Sequence, residues 1–273
     1  MTDNAAPLLQ VRGLTARFRH RAAVSQVVNG IAFEIAAGEA VGFVGESGSG
    51  KSVTARAVMR LAPEGSSLQL GGSVRFDGQE LLQLPEAAMQ DIRGRRIAMV
   101  FQDPMTSLNP VLTVGAQIDD IVCRHMGLSR AQARRRSIEL LGMVGIRDAA
   151  RRVDDHPHQF SGGMRQRVLI AIAVSCEPKL LIADEPTTAL DVTVQAQILR
   201  LLMRLRQELG MALMLISHDF GVIAGMVERV HVMLEGDIVE SGAIDAMFAQ
   251  PRHAYTRALL DAVPRLDAAG ATP

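Results

Sequence analysis

Short apolar runs alternate with helix-like spacings along most of the chain. Runs that predict strands lie at residues 8–18, 27–35, 40–44, 73–78, 97–101, 180–183 and 211–216, and residues 230–234 and 237–240 predict a hairpin. Apolar residues three or four positions apart predict helices after residue 52, within 103–160, from residue 165, at 194–205 and on both sides of Pro251. Because helices alternate with apolar strands, the pattern predicts an α/β fold around a mostly parallel sheet.

Local signals set several expected boundaries. Asn29-Gly30 is expected to interrupt the second strand, and Pro63 is expected to end the helix that follows residue 52. The alanine-rich segment Asp267–Pro273 is expected to be frayed.

Two features of the predicted helices concern residues that could be mistaken for functional ones. Cys176 shares a predicted helix face with Val168 and Ile172, which favours a buried apolar role over a ligand or redox role. The run Arg134–Arg136 is expected to lie on a solvated helix face rather than on a binding surface.

The composition narrows the class of protein. Lys and Arg number 29 and Asp and Glu number 29, so the formal net charge is +0, which argues against a strongly basic nucleic-acid binder. The two cysteines, Cys123 and Cys176, cannot form a disulfide framework. No signal peptide is expected at the N-terminus, and the longest apolar run, at 168–176 if Ser175 is tolerated, is well short of the about 20 residues of a membrane span. A cytosolic chain is expected, with any membrane role supplied by a partner.

A glycine-rich segment follows the predicted strand at 40–44 and opens a predicted helix. It fits the phosphate-loop pattern GxxxxGK[ST] with Gly45, Glu46, Ser47, Gly48, Ser49, Gly50, Lys51 and Ser52. The glycines let successive backbone N–H groups turn toward phosphate, and the helix N-terminus adds positive partial charge. Lys51 is expected to reach the β- and γ-phosphates, and the Ser52 hydroxyl to bind Mg²⁺. A plain glycine-rich turn is the alternative, but the flanking pattern favours nucleoside triphosphate binding.

Two acids end the predicted strand at 180–183. Asp184 stands at the carboxyl end of the strand, where it can reach the metal opposite Ser52. Glu185 lies one position further on and is expected to polarise an attacking water as a general base. The alternative is a solvated strand end, which the upstream phosphate loop disfavours.

Residues 159–167 precede the helix that leads to Asp184 and include Ser161, Gly162 and Gly163. This segment resembles the signature motif of ATP-binding cassette (ABC) ATPases, a second phosphate-binding helix N-terminus. The resemblance implies that the motif reaches the γ-phosphate held by a partner subunit, so that two head-to-tail subunits enclose two nucleotides. By itself the segment also fits a helix cap with Ser161 at the N-cap.

Further positions match the family pattern in the family's order. Gln102 matches the Q-loop glutamine, which is implied to touch Mg²⁺ and water and to sense the transport partner. Ala189-Leu190-Asp191 matches the D-loop at the dimer seam, and His218 matches the switch histidine that is implied to contact the γ-phosphate. Phe18 is the best match for the aromatic residue that stacks on adenine; packing within the small β-subdomain is the alternative.

Four longer segments resemble sequences of the dipeptide, oligopeptide and nickel importer subfamily. They are residues 101–110, 164–167, 184–192 and 251–256. Phe160 and Met164 replace the Leu and Gln of the general signature, and Ala254 stands where Pro is usual. Many relatives continue into a cysteine-rich tail implied to hold an iron–sulfur cluster. This sequence has no cysteine after Cys176, so no such cluster is expected.

The resemblance covers residues 8–264 and implies a P-loop NTPase fold with a RecA-like core, an antiparallel β-subdomain and a helical subdomain. Residues 1–273 are expected to form a single ABC ATPase domain. Its parts are an ATP-binding core at about 1–102 and 178–250, a helical subdomain at about 103–177 and a C-terminal helical extension at 251–273.

The implied function is the ATP-hydrolysing subunit of an importer of peptides or a related small solute, such as nickel or an opine-like compound. ATP and Mg²⁺ are the implied cofactors. The implied partners are a second ABC ATPase subunit, identical or paralogous, transmembrane permease subunits and, indirectly, an extracytoplasmic solute-binding protein; no nucleic acid is expected. The implied location is the cytoplasmic face of the inner membrane, through the permease subunits.

Two other functions compete with import. The carbon–phosphorus lyase system contains an ABC-type subunit with a similar Phe-Ser-Gly-Gly-Met stretch, and that subunit belongs to a soluble complex that transports nothing. An ABC-type DNA-repair or translation factor would need a coiled-coil insert or two cassettes in tandem, which this sequence does not show. The resemblance implies that solute specificity resides in the separate membrane and binding-protein chains, so this sequence does not name the transported solute.

Overall fold

A computed structural model describes residues 6–20, 23–62, 67–102, 107–188 and 190–262. Its strands are β1 (Leu9–His20), β2 (Ala23–Ile35), β3 (Ala40–Val44), β4 (Ser67–Phe76), β5 (Gln79–Glu80), β6 (Ile97–Val100), β7 (Leu180–Asp184), β8 (Ala212–Ser217), β9 (Arg229–Leu234) and β10 (Asp237–Ala243). Its helices are α1 (Lys51–Val58), α2 (Glu86–Ile92), α3 (Val114–Met126), α4 (Arg130–Met143), α5 (Ala149–Arg152), α6 (Gly162–Val174), α7 (Val192–Leu209), α8 (Phe220–Ile223), α9 (Ile244–Ala249) and α10 (Ala254–Asp261), with a 3₁₀ turn at Pro157–Gln159.

The larger sheet has the strand order β10-β9-β3-β8-β7-β6. β6, β7, β8, β3 and β9 run parallel, and β10 pairs antiparallel with β9 as the predicted hairpin. Every residue of β3, β7 and β8 is buried, because helices or the second sheet cover both faces. Two-sided burial explains why these strands are uninterrupted apolar runs in the sequence.

The smaller sheet is antiparallel, with the order β2-β1-β4-β5. The predicted break at Asn29-Gly30 is wrong, because β2 continues through both residues. The pairing with β1 steps from Ile31 to Asn29 and leaves Gly30 as an extra residue, with φ of 90°. A glycine at this point marks a bulge rather than the end of a strand.

Two predicted helices end earlier than expected. Helix α1 ends at Val58, and Arg60 then adopts a left-handed φ of 52°, so Leu61 lies outside the helix. Pro63, the expected terminator, lies outside the described residues, as does the segment Asp267–Pro273. Cys176 lies just beyond α6 rather than on its face, but its expected burial is confirmed, and that burial raises the pKa of its thiol.

The arginine run on α4 matches the expected solvated face only in part, because Arg135 is exposed whereas Arg134 and Arg136 are paired. Arg134 forms an ion pair with the buried carboxylate of Asp119 (Nε–Oδ2, 3.2 Å), and Arg136 pairs with Glu177 (Nη2–Oε1, 2.6 Å). Both arginine side chains are partly buried. Arg134 therefore connects α4 to α3, and Arg136 connects α4 to the turn before β7.

Helices α3 to α6 lie between β6 and β7 in the chain, and their apolar faces join the core on one side of the larger sheet. The smaller sheet and α1 share the core on the other side. Among the residues that the structure describes, none of the helices has the length and apolar character needed to cross a membrane.

Helix α10 begins with Ala254, where the importer subfamily usually has proline. His253 is the N-cap, with φ of −79° and ψ of 140°, and its Nδ1 accepts a hydrogen bond from the Tyr255 N–H (3.2 Å). The extended backbone of His253 is the conformation that a following proline requires, and the first helical position tolerates proline because its N–H has no helical acceptor.

Ala254→Pro is therefore expected to raise the free energy of unfolding by about 0.5–1 kcal/mol, because proline reduces the entropy of the unfolded chain. Urea denaturation measures the change. The matched control is Ala258→Pro in the same helix, which is expected to destabilise by about 3 kcal/mol because the position is interior. Equal destabilisation by both prolines would contradict the assigned helix start.

Candidate active site

The candidate site lies at the carboxyl edge of the larger sheet. Because β3, β8, β7 and β6 are parallel neighbours, the residues that follow them meet at one edge. The phosphate loop follows β3, His218 follows β8, the acid pair ends β7 and Gln102 follows β6. Four segments that are far apart in the sequence therefore converge because of the strand order.

The phosphate loop folds closely against neighbouring backbone. A Cβ atom on Gly45 would lie 2.1 Å from the Met233 carbonyl oxygen, so only glycine fits there. Gly50, the residue before α1, has φ of 103°, and a Cβ atom there would lie 2.9 Å from the Val27 carbonyl oxygen. Gly45 is therefore required because the Met233 backbone approaches it closely, and Gly50 is required because of its left-handed backbone conformation.

The side chain of Lys51 folds back into the loop. Its Nζ donates to the carbonyl oxygens of Gly45 (2.6 Å) and Glu46 (2.8 Å), and it lies 3.2 Å from Ser49 Oγ. Lys51 is only 3% exposed, and this burial lowers its pKa, while Glu185 and Asp184 act in the opposite direction. The loop therefore holds a desolvated cation on weak dipolar partners, where an incoming anion would bind strongly.

Asp184 faces the start of α1. Ser52 Oγ donates a hydrogen bond to Asp184 Oδ1 (2.7 Å), whereas Oδ2 is buried and has no hydrogen-bond partner among the described residues. Asp184 is 1% exposed, and burial raises the pKa of its carboxyl. A carboxylate with one satisfied and one unsatisfied oxygen is costly in a folded protein and points to a missing positive partner.

Glu185 is the centre of a polar cluster. Its Oε2 accepts hydrogen bonds from Gln102 Nε2 (3.0 Å) and Thr188 Oγ1 (2.9 Å), and it lies 3.5 Å from His218 Nδ1. The Glu185 side chain is 10% exposed and its backbone has a left-handed φ of 46°. For a residue other than glycine this conformation is strained, and such strain concentrates at functional sites.

A cavity of about 270 Å³ lies between these groups. Its lining residues are Val27, Ser47, Gly48, Gly50, Lys51, Ser52, Val53, Gln102 and Glu185. Glu185 also lines a smaller neighbouring cavity together with His218. The predicted residues Gly45, Glu46 and Ser49 are in the loop but not in the lining, and Phe18 lies on β1 opposite Ser25, also outside the lining.

The signature segment lies elsewhere on the same chain. Ser161 is the N-cap of α6, and its Oγ accepts a hydrogen bond from the Met164 N–H (3.4 Å). A Cβ atom on Gly163 would lie 2.6 Å from Val194 Cγ1, which explains this glycine by the packing of α6 on α7. Ser161 and Gly162 are exposed, and none of the three residues lines the cavity.

Asp191 is likewise a helix cap outside the cavity. Its Oδ1 accepts a hydrogen bond from the Val194 N–H (2.9 Å) at the start of α7. Ala189, the first residue of the matching D-loop segment, lies outside the described residues. One chain thus unites Lys51, Ser52, Asp184, Glu185, Gln102 and His218, and it leaves the signature and D-loop residues apart.

Comparisons with known proteins agree with this geometry. A family profile described as "ABC transporter" matches residues 28–188, which contain the phosphate loop, the signature segment and the acid pair. The chain belongs to the ABC transporter family. It is an ATPase of that family, which binds nucleotide. A second profile, "Oligopeptide/dipeptide transporter, C-terminal region", matches residues 239–272.

Individual relatives of this ABC ATPase cover almost all of the chain. It is 54% identical over 262 residues to a putative peptide import ATP-binding protein of Brucella abortus (strain 2308), covering 96% of this chain and 79% of the relative. It is 48% identical over 263 residues to the oligopeptide transport ATP-binding protein OppD of Bacillus subtilis (strain 168), covering 96% and 74%.

A solved structure supports the fold. The ATP-binding cassette MJ0796, as a dimer in a post-hydrolysis state bound to ADP and Pi, superposes with a TM-score of 0.76 at 28% identity. The match covers 86% of this chain and 98% of the cassette. The predicted fold class, a P-loop ABC ATPase, is confirmed.

Sequence reasoning missed three contributors to the site of this ABC ATPase. Thr188 donates to Glu185, Val27 forms one cavity wall, and the Tyr255 hydroxyl accepts a hydrogen bond from the Glu46 N–H (2.8 Å). Thr188 and Tyr255 both lie in the segments that indicated the importer subfamily. Val27 carries no signal, because its position depends on how β2 packs beside the loop.

Asp184→Asn is expected to raise the free energy of unfolding of the nucleotide-free protein by about 1 kcal/mol, because it removes a buried charge. Since the folded state raises the pKa of Asp184, ionisation costs stability above that pKa. The stability gained by Asp184→Asn should therefore be largest at neutral pH, and it should shrink as the pH falls toward 3.8, the ordinary pKa of an aspartic acid.

Urea unfolding at neutral and at mildly acidic pH measures this difference. The matched control is Asp120→Asn on the exposed side of α3, where the carboxylate is ion-paired with Arg130 at the surface. The control should change stability little at either pH. If Asp184→Asn instead lowered the free energy of unfolding at neutral pH, the Asp184 carboxylate would have to be satisfied in the folded state.

Proposed function

We propose that this chain is the ATP-binding and ATP-hydrolysing subunit of an importer that takes up peptides or a related small solute. The observation that carries the proposal is the convergence of three groups on one cavity: the Lys51 loop, the Ser52–Asp184 pair and the Glu185 cluster. The match of residues 239–272 to the oligopeptide/dipeptide transporter region supports peptides as the solute class. The same match favours import over the soluble carbon–phosphorus lyase complex.

ATP would bind with its triphosphate in the loop. Gly48, Gly50, Lys51 and Ser52 line the cavity at the N-terminus of α1, and the buried ammonium of Lys51 supplies a full positive charge. Phosphate oxygens are better partners for Lys51 than the two carbonyl oxygens it contacts now. Phe18 is proposed as the adenine-stacking residue from the resemblance alone.

The residues around Asp184 fit a divalent cation. Its unsatisfied Oδ2 and the hydroxyl of Ser52 are hard oxygen donors, and the Gln102 amide is nearby in the cavity wall. No group of three or more His, Cys, Asp or Glu side chains in the described ranges could hold a metal ion unaided. Ser52, Gln102 and Asp184 would therefore hold Mg²⁺ together with phosphate oxygens, and the ion would neutralise phosphate charge when bound.

Hydrolysis would use Glu185 as the general base. Its carboxylate would take a proton from water as the water oxygen forms a bond to the γ-phosphorus and the bond to the β–γ bridging oxygen breaks, with ADP as the leaving group. The hydrogen bonds from Gln102 and Thr188 hold this carboxylate in place. His218, at 3.5 Å from Glu185, would contact the γ-phosphate.

A second subunit would complete the site. Ser161, Gly162 and Gly163 lie outside their own chain's cavity, so they are available to the γ-phosphate of a facing subunit. Val192, beside Asp191, is 81% exposed, and an apolar side chain at that position suits a subunit interface. The facing subunit is proposed to be a second copy or a paralogue in a head-to-tail dimer.

The permease contact is proposed for the surface that follows β6. Three exposed apolar residues lie here: Phe101 directly precedes Gln102, and Val111 and Leu112 precede the start of α3. An apolar surface next to a residue of the catalytic cluster can transmit closure of the site to a partner. Through this contact the chain would lie on the cytoplasmic face of the inner membrane and serve, indirectly, an extracytoplasmic solute-binding protein.

Glu185→Gln is expected to abolish most hydrolysis, by about 10²–10³-fold, because the amide cannot accept the proton. ATP binding should survive, and an ATP-bound dimer should accumulate. Phosphate release and size-exclusion chromatography with ATP measure the two effects. Glu208→Gln, an exposed glutamate on α7, is the control and should behave as the unmodified protein. Unchanged turnover in Glu185→Gln would exclude Glu185 as the base.

Lys51→Ala is expected to remove measurable ATP binding, because no other cation lines the cavity among the residues described. Equilibrium dialysis with labelled ATP measures this loss. Lys179→Ala, which removes an exposed ammonium paired with Asp77 at the other end of β7, serves as the matched control. Micromolar ATP binding by Lys51→Ala would contradict the role of the loop.

A further inference from the structure

The single tyrosine of the sequence contacts the phosphate loop from the C-terminal part of the chain. The Tyr255 hydroxyl accepts a hydrogen bond from the Glu46 N–H at 2.8 Å, across 209 positions of sequence. Tyr255 lies on α10, within the segment that matches the oligopeptide/dipeptide transporter region.

The contact fixes one particular peptide group. The Gly45 carbonyl and the Glu46 N–H belong to the same planar unit, so they point in opposite directions. Tyr255 binds the N–H side, and Lys51 Nζ binds the carbonyl side at 2.6 Å. When Lys51 turns toward a phosphate, the tyrosine hydroxyl is the partner that still holds this peptide in orientation.

Tyr255 is itself held firmly. Both carboxylate oxygens of Glu240 on β10 accept backbone hydrogen bonds, one from the Arg252 N–H (2.8 Å) and one from the His253 N–H (2.9 Å). His253 then caps α10 through the Tyr255 N–H. The tyrosine ring packs on the apolar core, and burial raises the pKa of its phenol, so the hydroxyl stays protonated near neutral pH.

We propose that Tyr255 is a positioning residue of the phosphate loop, and that through its hydroxyl the C-terminal segment sets the affinity for ATP. The proposal rests on the proposed ATP-binding function and adds a role for a segment outside the nucleotide cavity. The hydroxyl keeps the 45–46 peptide in the orientation that the loop needs to receive a triphosphate. Loss of the hydroxyl leaves the Glu46 N–H to water and lets the loop adopt competing orientations, which weakens binding without touching the chemical step.

The deciding variant is Tyr255→Phe, made in the full chain, because it removes one oxygen and keeps the ring in the core. The dissociation constant for Mg-ATP, measured by titration calorimetry, should rise roughly 3- to 10-fold, the size expected from one net hydrogen bond. The turnover number at saturating ATP should not change, and the urea unfolding midpoint should fall only slightly, because one hydrogen bond to an exposed backbone N–H is lost. Ala258→Ser, at an exposed position of the same helix, is the control and should leave all three quantities unchanged.

A spectroscopic signal reports the same contact directly. With one tyrosine and no tryptophan in the sequence, ultraviolet-excited emission comes from Tyr255. Mg²⁺ with inorganic tripolyphosphate, which does not absorb as adenine does, should change that emission at concentrations that inhibit the ATPase. Lys51→Ala should abolish the change.

An unchanged dissociation constant in Tyr255→Phe would overturn the proposal. The proposal would also fail if Tyr255→Phe lowered the unfolding midpoint and the turnover number but left the affinity for Mg-ATP unchanged, since that pattern indicates a purely structural role. If Lys51→Ala loses ATP while Tyr255→Phe matches the unmodified protein, only the role of Tyr255 fails. If Lys51→Ala still binds ATP, the proposed function fails instead.

Discussion

The parallel pairing of β3 with β8, and of β8 with β7, is the constraint on which the rest of the site depends. It aligns Val44 with Ser217 and Ile216 with Asp184, so the residues after each strand emerge side by side. Nothing in the local sequence of the phosphate loop brings it to the acid pair. A shift of one residue in this register would move the buried side chains of each strand to the opposite face and separate Ser52 from Asp184.

The site concentrates groups that a folded protein ordinarily avoids. Lys51 is a buried cation on neutral partners, Asp184 is a buried carboxylate with one oxygen unsatisfied, and Glu185 has a left-handed backbone. Each lowers the stability of the nucleotide-free protein. Lys51 and Glu185 line one cavity, and Asp184 is hydrogen-bonded to Ser52 in its wall, so a nucleotide with its cation would relieve Lys51 and Asp184 together. Binding free energy and folding stability are thus linked at this edge of the sheet.

Much of this arrangement follows from the sequence, for identifiable physical reasons. The fully buried strands β3, β7 and β8 have a strong apolar signal, and Lys51, Asp184 and His218 each stand directly beside such a strand. Bulges and helix ends were less predictable, because Gly30 and Arg60 depend on local backbone conformations that neighbouring sequence does not dictate. Contacts such as Tyr255 with Glu46 depend on tertiary packing alone.

The turn between β9 and β10 lies behind the phosphate loop and joins the two sheets to it. The Gly236 N–H donates to the Ser49 carbonyl (3.0 Å), and the Gly236 carbonyl accepts from the Asn29 N–H (3.0 Å) on β2. A Cβ atom on Gly236 would lie 2.4 Å from the Val27 carbonyl oxygen. Hairpin tips are ordinarily places where related chains gain or lose residues. This tip has no such freedom, and length variation among relatives should fall instead on connections that leave the back of the loop untouched.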